Sequence, residues 1–258
     1  MRDLVIIITG ASSGIGAALA RDAVARGAKV VLAARREAEL TALATALGPN
    51  ALAVVTDVAV RADTVRLCER AIAAFGHVDA FVANAGRGIS RPVLALEDTD
   101  LDDMMTINVK SMLHAAQAIV PHFIARERGH FIYVSSGLAR MPFAPIRSAY
   151  SAAKAAASSL MTSLRMELRP HPQIRVSTLF PGIVATDFGT NARHGGPDSR
   201  QLPGAQPVEE VAAILAELIA TPRAEVYSRP QMKDAVARYY SADDVATLEV
   251  GMGPPPRP

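Results

Sequence analysis

The sequence of 258 residues has little cysteine, no tryptophan and few other aromatic residues. Its single cysteine, Cys68, excludes an intramolecular disulfide framework and a cysteine-rich metal site, and we expect no bound metal. Basic residues exceed acidic residues by only two, which is too small a surplus to predict nucleic-acid binding. Apolar stretches such as Leu4–Ile8 fall far short of the ~20 residues needed to cross a bilayer.

The stretch Leu4–Ile8 also lacks the surroundings of a signal peptide, because it runs straight into a glycine motif. Half of the residues are hydrophobic, which is enough to bury a sizeable core and excludes wholesale disorder. We therefore expect a globular cytoplasmic protein that binds neither membranes nor nucleic acids.

Short apolar runs alternate with longer helical patterns along the chain. The predicted strands are Leu4–Thr9, Lys29–Ala34, Ala51–Thr56, Val78–Ala83, His130–Ser135, Ile174–Phe180 and a short last one at Glu225–Ser228. The predicted helices are Gly14–Arg26, Arg36–Leu47, Ala62–Phe75, Asp98–Arg126, Ala149–Arg169 and Val208–Ala220. Most of the strand runs are apolar at successive positions, which is typical of parallel strands covered on both faces. The alternation predicts an α/β fold with a doubly wound parallel sheet in a single domain.

A glycine-rich segment follows the first strand and opens the first helix. Its spacing is Gly-x-x-x-Gly-x-Gly over Gly10–Gly16, with Ser12 and Ser13 between the glycines. Glycines let the backbone turn sharply and approach a ligand closely, and the helix N-terminus favours an anion such as a pyrophosphate. The segment therefore predicts a dinucleotide site, and a tight strand-to-helix turn without a ligand is the alternative.

The end of the second strand indicates which dinucleotide is bound. An acidic side chain there would bind the ribose 2′-hydroxyl of NAD, whereas an arginine accommodates a 2′-phosphate. The sequence has Ala34 at this position, followed by Arg35 and Arg36. These residues predict a preference for NADP(H) over NAD(H), the alternative being two solvated arginines at a helix start. Asp57, after the third strand, is expected to contact the adenine, or else to cap the next helix.

Tyr150 and Lys154 are four residues apart on a predicted helix, so they share a face. The chain has only five tyrosines and four lysines, so this pair is not expected by chance. A tyrosine that titrates near pH 10 is a poor proton-transfer group at neutral pH. An ammonium ~4 Å away would lower the pKa of the phenol by ~3 units. The pair therefore predicts a general acid–base centre, whereas a packed tyrosine beside a solvated lysine is the alternative.

Further polar residues lie where strands end, at the sheet edge where such folds bind ligands. Ser135 and Ser136 end the fifth strand, and Asn84, Ala85 and Gly86 end the fourth. Asn108 lies within a predicted helix, where asparagine is mildly unfavourable, and this indicates a role other than helix stability. Pro181, Gly182, Val184 and Thr186 follow the sixth strand and are expected near the nicotinamide carboxamide.

Together these motifs resemble the short-chain dehydrogenase/reductase family. The resemblance rests on Thr9-Gly10-x-x-x-Gly14-Ile15-Gly16, Asp57-Val58, Asn84-Ala85-Gly86, Asn108, Ser136, Tyr150-x-x-x-Lys154 and Pro181-Gly182, in family order. It implies a Rossmann-type sheet of about seven strands and a catalytic tetrad of Asn108, Ser136, Tyr150 and Lys154. The resemblance further implies that Tyr150 transfers the proton and that Lys154 binds the nicotinamide ribose. It also implies that Ser136 positions the substrate oxygen and that the Asn108 backbone holds a relay water.

One departure from the family pattern concerns the serine. The family serine usually sits thirteen residues before the tyrosine, where this chain has Gly137, and Ser136 sits fourteen before it. We interpret this as a one-residue insertion in Leu138–Arg147, with Ser135 as the alternative catalytic serine.

The motifs predict two sets of site residues. The catalytic residues are Asn108, Ser136, Tyr150 and Lys154. The cofactor-binding residues are Gly10, Ser12, Ser13, Gly14, Ile15, Gly16, Arg35, Arg36, Asp57, Val58, Asn84, Ala85, Gly86, Tyr150, Lys154, Pro181, Gly182, Val184 and Thr186. Residues 1–230 are predicted to form the dinucleotide-binding and catalytic domain. Residues 231–258 are predicted to form a partly helical C-terminal extension with a loose tail rich in Pro and Gly.

The predicted function is hydride transfer between NADP(H) and a carbonyl or secondary alcohol substrate. The alternatives are a 3-oxoacyl-thioester reductase of lipid metabolism and a non-catalytic NADP-binding sensor. The resemblance also implies a homodimer or homotetramer. The substrate pocket is expected from Arg87–Pro92, Leu138–Arg147 and Thr186–Leu202, where Arg87, Arg140, Arg147 and Arg193 are candidates to meet an anionic group.

Overall fold

The computed structural model of the protein describes residues 1–250. In this part of the chain seven parallel strands form one sheet in the order β3-β2-β1-β4-β5-β6-β7. The strands are β1 Val5–Thr9, β2 Lys29–Ala34, β3 Ala51–Val55, β4 Ala80–Ala83, β5 Gly129–Val134, β6 Ile174–Phe180 and β7 Glu225–Tyr227. The strand order reverses between β1 and β4, which is where doubly wound folds bind their ligands. The predicted fold class, a single Rossmann-type domain, is confirmed.

Helices cover both faces of this sheet. They are α1 Gly14–Ala25, α2 Glu37–Leu47, α3 Arg61–Phe75, α4 Asp98–Met105, α5 Ser111–Ala125, α6 Ser148–Glu167, α7 Val208–Ala220, α8 Pro230–Tyr240 and the short α9 Ala246–Glu249. Neighbouring parallel strands need long crossover connections, and the helices of these connections pack on the faces of the sheet.

The core is built in two layers because successive strand residues face opposite sides of the sheet. Ile7 packs into the layer under α3, α5 and α6, whereas its neighbours Ile6 and Ile8 pack into the layer under α1 and α7. All five residues of β1 are buried. This explains why the strands read as continuous apolar runs rather than as alternating ones.

The predicted continuous helix over Asp98–Arg126 is wrong in one respect. A π-helical turn, Thr106–Lys110, separates α4 from α5 and has Asn108 at its centre. Such a turn contains one residue more than an α-helical turn, and it is frequent at functional sites. The apolar periodicity on either side is helical, so the sequence pattern does not reveal the wider turn.

The C-terminal helices lie beyond the predicted boundary at residue 230. Within the described residues, α8 brings Met232 against the β5 edge, where a Cβ on Gly137 would lie 2.8 Å from the Met232 sulfur. The predicted extension therefore contributes a side chain to the sheet edge. The predicted loose tail at 251–258 lies outside the described residues.

Candidate active site

A cavity of about 1160 Å³ opens at the carboxyl ends of the parallel strands. Nearly all of the predicted site residues line it, namely Gly10, Ser12, Ser13, Gly14, Ile15, Arg35, Arg36, Asp57, Val58, Asn84, Ala85, Gly86, Ser135, Ser136, Tyr150, Lys154, Pro181, Gly182, Val184 and Thr186. Gly16 and Asn108 lie behind its wall. Residues separated by up to 176 positions in the sequence are thus brought to one space because parallel strands end at the same edge.

The glycine-rich segment forms one end of this cavity. Gly10 and Gly14 have φ angles of +67° and +53°, a region that only glycine enters at little cost. The segment is held from β4, since the Asn84 amide donates to the Thr9 carbonyl at 2.9 Å. Asn84 thus braces the loop besides lining the cavity.

The N-terminus of α1 faces this end of the cavity, and no side chain of its cap or first turn neutralises its positive dipole. Its N-cap, Ser13, makes no side-chain capping bond, and its first turn has no acidic residue. The free N–H groups and the positive end of the helix dipole therefore remain available to an anion. A Cβ on Gly16 would lie 2.5 Å from the Gly10 carbonyl oxygen, so this close packing of loop on helix requires glycine.

Both arginines after β2 line the cavity, and they differ in their contacts. Arg36 donates to the Ser12 hydroxyl at 2.9 Å and approaches Glu39 at 3.3 Å. Arg35 contacts no carboxylate among residues 1–250. Two guanidinium groups and a serine hydroxyl are therefore gathered beside Ala34, and this set of donors suits a phosphate monoester.

Asp57 also lines the cavity, at the carboxyl end of β3. One of its carboxylate oxygens accepts a hydrogen bond from the Ala59 N–H at 3.0 Å, which fixes the turn before α3. It does not cap α3, whose N-cap is Val60.

Tyr150 and Lys154 lie in the first two turns of α6, and both side chains are buried against the sheet. The Lys154 ammonium donates to the Val134 carbonyl at 2.8 Å and lies 4.6 Å from the centre of the Tyr133 ring. It is 5.8 Å from the centre of the Tyr150 ring. The shared face is therefore as predicted, and the lysine's direct partner is a main-chain oxygen of β5.

The predicted lowering of the Tyr150 pKa by Lys154 is wrong in this structure. Burial raises the pKa of Tyr150 to about 12, although the Ser136 hydroxyl and the Arg147 charge act in the opposite direction. Burial also lowers the pKa of Lys154 to about 7. A lysine that is partly neutral at pH 7 supplies less Coulomb attraction to a phenolate than a permanent ammonium does.

The two serines after β5 have different surroundings. The Ser135 hydroxyl lies 2.8 Å from the Ser158 hydroxyl and is engaged with α6. The Ser136 hydroxyl accepts a hydrogen bond from the Leu138 N–H at 3.2 Å. It also acts on the Tyr150 hydroxyl, where it opposes the rise of the pKa that burial causes. Of the two, Ser136 is the one whose hydroxyl acts on Tyr150.

Asn108 is fully buried in the π-helical turn and acts through its neighbours. Its side-chain amide donates to the Arg87 carbonyl at 3.0 Å and accepts from the Arg87 N–H at 3.2 Å. Its main-chain carbonyl accepts a hydrogen bond from the Tyr133 hydroxyl at 3.1 Å. This bond ties the π-helical turn to β5.

The other end of the cavity has an apolar wall. Met141, Phe143 and Phe188 line it, together with Leu138 and Leu202, and all five lie in segments that were expected to form the substrate pocket. The Phe188 ring packs 5.3 Å from the Tyr150 ring, centre to centre. This end adjoins the tyrosine hydroxyl, so it is the part of the cavity suited to an organic substrate.

A buried carboxylate holds the segment after β6 against α4. The Asp100 side chain binds Arg193 at 2.5 Å and His194 at 2.8 Å, and it also pairs with Arg91. Burial alone would raise the pKa of Asp100, but these hydrogen bonds outweigh it and keep the pKa well below its usual range. Ion pairs therefore hold the pocket segment Thr186–Leu202 against α4 at this point.

Two kinds of feature are absent from the described part of the chain. Residues 1–250 contain no group of three or more His, Cys, Asp or Glu side chains placed to hold a metal ion. None of the helices in that range combines the length and apolar character that a membrane crossing requires.

Comparison with known proteins agrees with this geometry. Residues 4–196, well over half of the chain, match the family described as short chain dehydrogenase. The chain belongs to the short-chain dehydrogenase family. An uncharacterized oxidoreductase of Listeria monocytogenes is 40% identical to this short-chain dehydrogenase over 192 residues, which are 73% of this chain and 77% of that protein. The protein is therefore an oxidoreductase.

Two solved structures resemble this short-chain dehydrogenase throughout its fold. A metagenomic short-chain oxidoreductase in complex with NADP is 32% identical, with a TM-score of 0.75, and the match covers 89% of this chain and 98% of that one. A 3-ketoacyl-(acyl-carrier-protein) reductase from Brucella melitensis, complexed with NADH, is 29% identical with a TM-score of 0.79. That match covers 88% of this chain and 96% of the reductase.

Three side chains at this dehydrogenase's cavity or beneath it were not predicted from the sequence. Tyr133 contacts both Lys154 and Asn108. The sequence could have indicated this role, because Tyr133 is one of only five tyrosines and directly precedes Val134–Ser136 at the end of a strand. Arg229 and Met232 line the cavity from the start of α8. No sequence motif identifies Arg229 and Met232, because they reach the sheet edge only through the path that the chain takes after β7.

Proposed function

We propose that the protein is an NADP(H)-dependent oxidoreductase that transfers a hydride between the nicotinamide and a carbonyl or secondary alcohol substrate. One observation carries the proposal: a single cavity has Ser12, Arg35 and Arg36 at one end and Ser136 and Tyr150 at the other. A phosphate-binding set and a proton-transfer set in one continuous space are what a phosphorylated dinucleotide beside a substrate requires.

The residues present fit this cofactor. The uncapped N-terminus of α1 and the positive-φ glycines Gly10 and Gly14 suit a pyrophosphate. We assign the adenine end to Asp57 and Val58 and the nicotinamide end to Lys154, Pro181–Gly182, Val184 and Thr186. When bound, the nicotinamide supplies the site that accepts or donates the hydride.

The chain's own residues would then orient the substrate and move one proton. The Tyr150 hydroxyl donates a proton to the carbonyl oxygen in reduction and accepts it from the alcohol in oxidation. Ser136 holds the same oxygen by hydrogen bonding, next to the tyrosine. Lys154 binds the ribose hydroxyls, and we assign the water of a proton relay to the main-chain carbonyl of Asn108.

The cofactor preference is tested by removing each arginine. Arg35→Ala and Arg36→Ala are expected to reduce the ratio of kcat/KM for NADPH over NADH by about tenfold or more, because each removes charge-assisted hydrogen bonds to the 2′-phosphate. Arg66→Ala, an exposed arginine paired with Asp63, is the control and should leave the ratio unchanged. An unchanged ratio in both test variants would show that the preference for NADP(H) is wrong.

The reaction is tested by following NADPH oxidation with ketones, aldehydes and 3-oxoacyl thioesters. A thioester reductase is the second candidate, because the protein resembles a 3-ketoacyl-(acyl-carrier-protein) reductase over most of both chains. Turnover of thioesters alone would favour it. Binding of NADPH with no turnover on the whole panel would instead favour a non-catalytic sensor.

We further propose a homodimer or homotetramer in the cytoplasm. Large apolar side chains are exposed on two helices of the same layer, Leu113 and Ile124 on α5 and Leu160 and Met166 on α6. A second copy of the chain would cover them. Light scattering after size exclusion should give a mass of two or four chains, and Leu160→Glu should lower it. A monomer at micromolar concentration would contradict this assembly.

A further inference from the structure

Four arginines were candidates to meet an anionic substrate group, and three of them already have carboxylate partners. Arg193 pairs with Asp100, Arg140 pairs with Glu225 at 2.5 Å, and Arg87 lies 3.6 Å from Asp103. Arg147 is the fourth, and no carboxylate in residues 1–250 lies within ion-pair distance of it. The structure therefore separates Arg147 from the other three.

Arg147 is also buried, with 9% of its surface exposed, and it lines the cavity. Its Nη1 donates to the Ile89 carbonyl at 3.1 Å, and its other N–H donors have no acceptor among the described residues. A buried charge without a counter-charge is costly, and proteins rarely retain one unless a partner arrives. The guanidinium thus presents unused donors to the cavity.

The surrounding backbone makes room for the guanidinium. A Cβ on Gly88 would lie 3.0 Å from Nη1, and a Cβ on Gly196 would lie 3.0 Å from Nη2. Side chains at these two loop positions would crowd the group, so it is seated between the loops rather than free to swing into solvent.

The position of Arg147 relates it directly to the proposed proton donor. It is the N-cap residue of α6, three residues before Tyr150, and its charge is close enough to favour the Tyr150 phenolate. The apolar wall of Met141, Phe143 and Phe188 borders the same part of the cavity. An anionic group held by Arg147 would therefore lie near the substrate oxygen bound at Tyr150.

We propose that Arg147 binds a carboxylate carried by the substrate, so that the preferred substrates are oxo acids and the matching hydroxy acids. This inference rests on the proposed function. A planar guanidinium fork matches a carboxylate through two parallel hydrogen bonds. A single unpaired guanidinium balances a monoanion, and the nearby Arg87 and Asp103 offset one another, so a carboxylate fits better than a doubly charged phosphate.

The test compares the oxidation of 3-hydroxybutanoate with that of its methyl ester, using NADP⁺ and the whole chain. The acids 2-hydroxybutanoate and 4-hydroxybutanoate vary the spacing between the hydroxyl and the carboxylate. The wild type is expected to oxidise the acid with a higher kcat/KM than the ester. Arg147→Met should reduce kcat/KM for the acid by about 30-fold or more, mainly through KM, because it removes charge-assisted hydrogen bonds. It should change the ester by less than about threefold. Arg140→Met, whose arginine is paired with Glu225 outside the cavity wall, is the matched control and should not change the acid-to-ester ratio.

A binding measurement separates this inference from the reaction itself. Butanoate is titrated calorimetrically into the protein with NADP⁺, for the wild type, Arg147→Met and Arg147→Lys. We expect Kd to rise by about tenfold or more in Arg147→Met and by less in Arg147→Lys, which keeps the charge and guards against misfolding of the methionine variant.

The outcomes distinguish the two proposals. If butanoate binds through Arg147 but no alcohol is oxidised, the anion site stands and the proposed function fails. If neutral alcohols are oxidised while acids gain nothing from Arg147, the function stands and this inference fails. Equal loss of kcat for acid and ester in Arg147→Met, with a shifted pH profile, would also overturn it, because Arg147 would then serve Tyr150 rather than the substrate.

Discussion

The Tyr133 hydroxyl donates a hydrogen bond of 3.1 Å to the main-chain carbonyl of Asn108. This bond joins β5 to the π-helical turn, and the ring of the same tyrosine lies 4.6 Å below the Lys154 ammonium. One buried side chain therefore contacts two members of the proposed tetrad, through its hydroxyl and its face respectively.

Tyr133→Phe should destabilise the protein by about 1 kcal/mol, because it removes a buried hydrogen bond and leaves the packed ring in place. Tyr240→Phe is the matched control, since the Tyr240 hydroxyl also donates to a main-chain carbonyl but the residue is 64% exposed. Chemical unfolding should show a smaller loss in the control. Equal losses would indicate that burial of the Tyr133–Asn108 bond contributes nothing.

The pH dependence of stability should report on Lys154. Burial lowers its pKa to about 7 in the folded protein, whereas an unfolded lysine titrates near 10.4. Between these pH values the unfolded chain binds a proton that the folded protein has released, so stability rises with pH by up to about 1.4 kcal/mol per unit. Tyr150, with its pKa raised to about 12, stays protonated throughout this window.

The measurement is urea unfolding at pH 7, 8 and 9 without nucleotide, for the wild type and Lys154→Met. As the pH rises across this range, the free energy of unfolding of the wild type should increase relative to that of Lys154→Met. Parallel pH profiles would mean that Lys154 keeps its ordinary pKa in the folded protein.

Ser136→Ala should reduce kcat by about 100-fold with the best substrate of the panel, because a positioned hydrogen-bond donor to the reacting oxygen is lost. Ser135→Ala should reduce it far less, since that hydroxyl is engaged with Ser158 at 2.8 Å. The reverse order would assign the catalytic role to Ser135.

Asp100→Asn should loosen the segment at residues 187–206. The substitution removes the negative charge that binds Arg193 and His194, while keeping the size of the side chain. Hydrogen exchange at pH 7 should become faster in this segment and stay unchanged in the β1–β4 core. Asp98→Asn, at the neighbouring start of α4, is the control. Unchanged exchange in the Asp100 variant would show that these ion pairs do not restrain the segment.

Much of the fold followed from local patterns. Apolar runs located most of the seven strands of the described sheet, with ends shifted by at most two residues, because strands buried on both faces are apolar at successive positions. The short last strand, Glu225–Tyr227, was expected from its place after α7. The turn at Asn108 was missed, since one added residue within a helix leaves the apolar periodicity on each side intact.

The candidate site was predicted residue by residue where a motif has a fixed relation to a strand end. The glycine segment, Arg35, Ser136 and Tyr150 all reached one cavity for that reason. The sequence could not rank the four arginines near the substrate end, because each ion pair joins residues 16 or more positions apart in the chain.

By itself, then, the sequence determined the strands, the glycine-rich turn and the shared helical face of Tyr150 and Lys154, all of which depend on neighbours a few residues away. Tertiary structure alone decided the charge states of that pair, because burial sets the pKa of each group. It also decided that Arg147 has no carboxylate within ion-pair distance among residues 1–250. Ion pairing and desolvation depend on which distant side chains share a space, and only the folded chain specifies that.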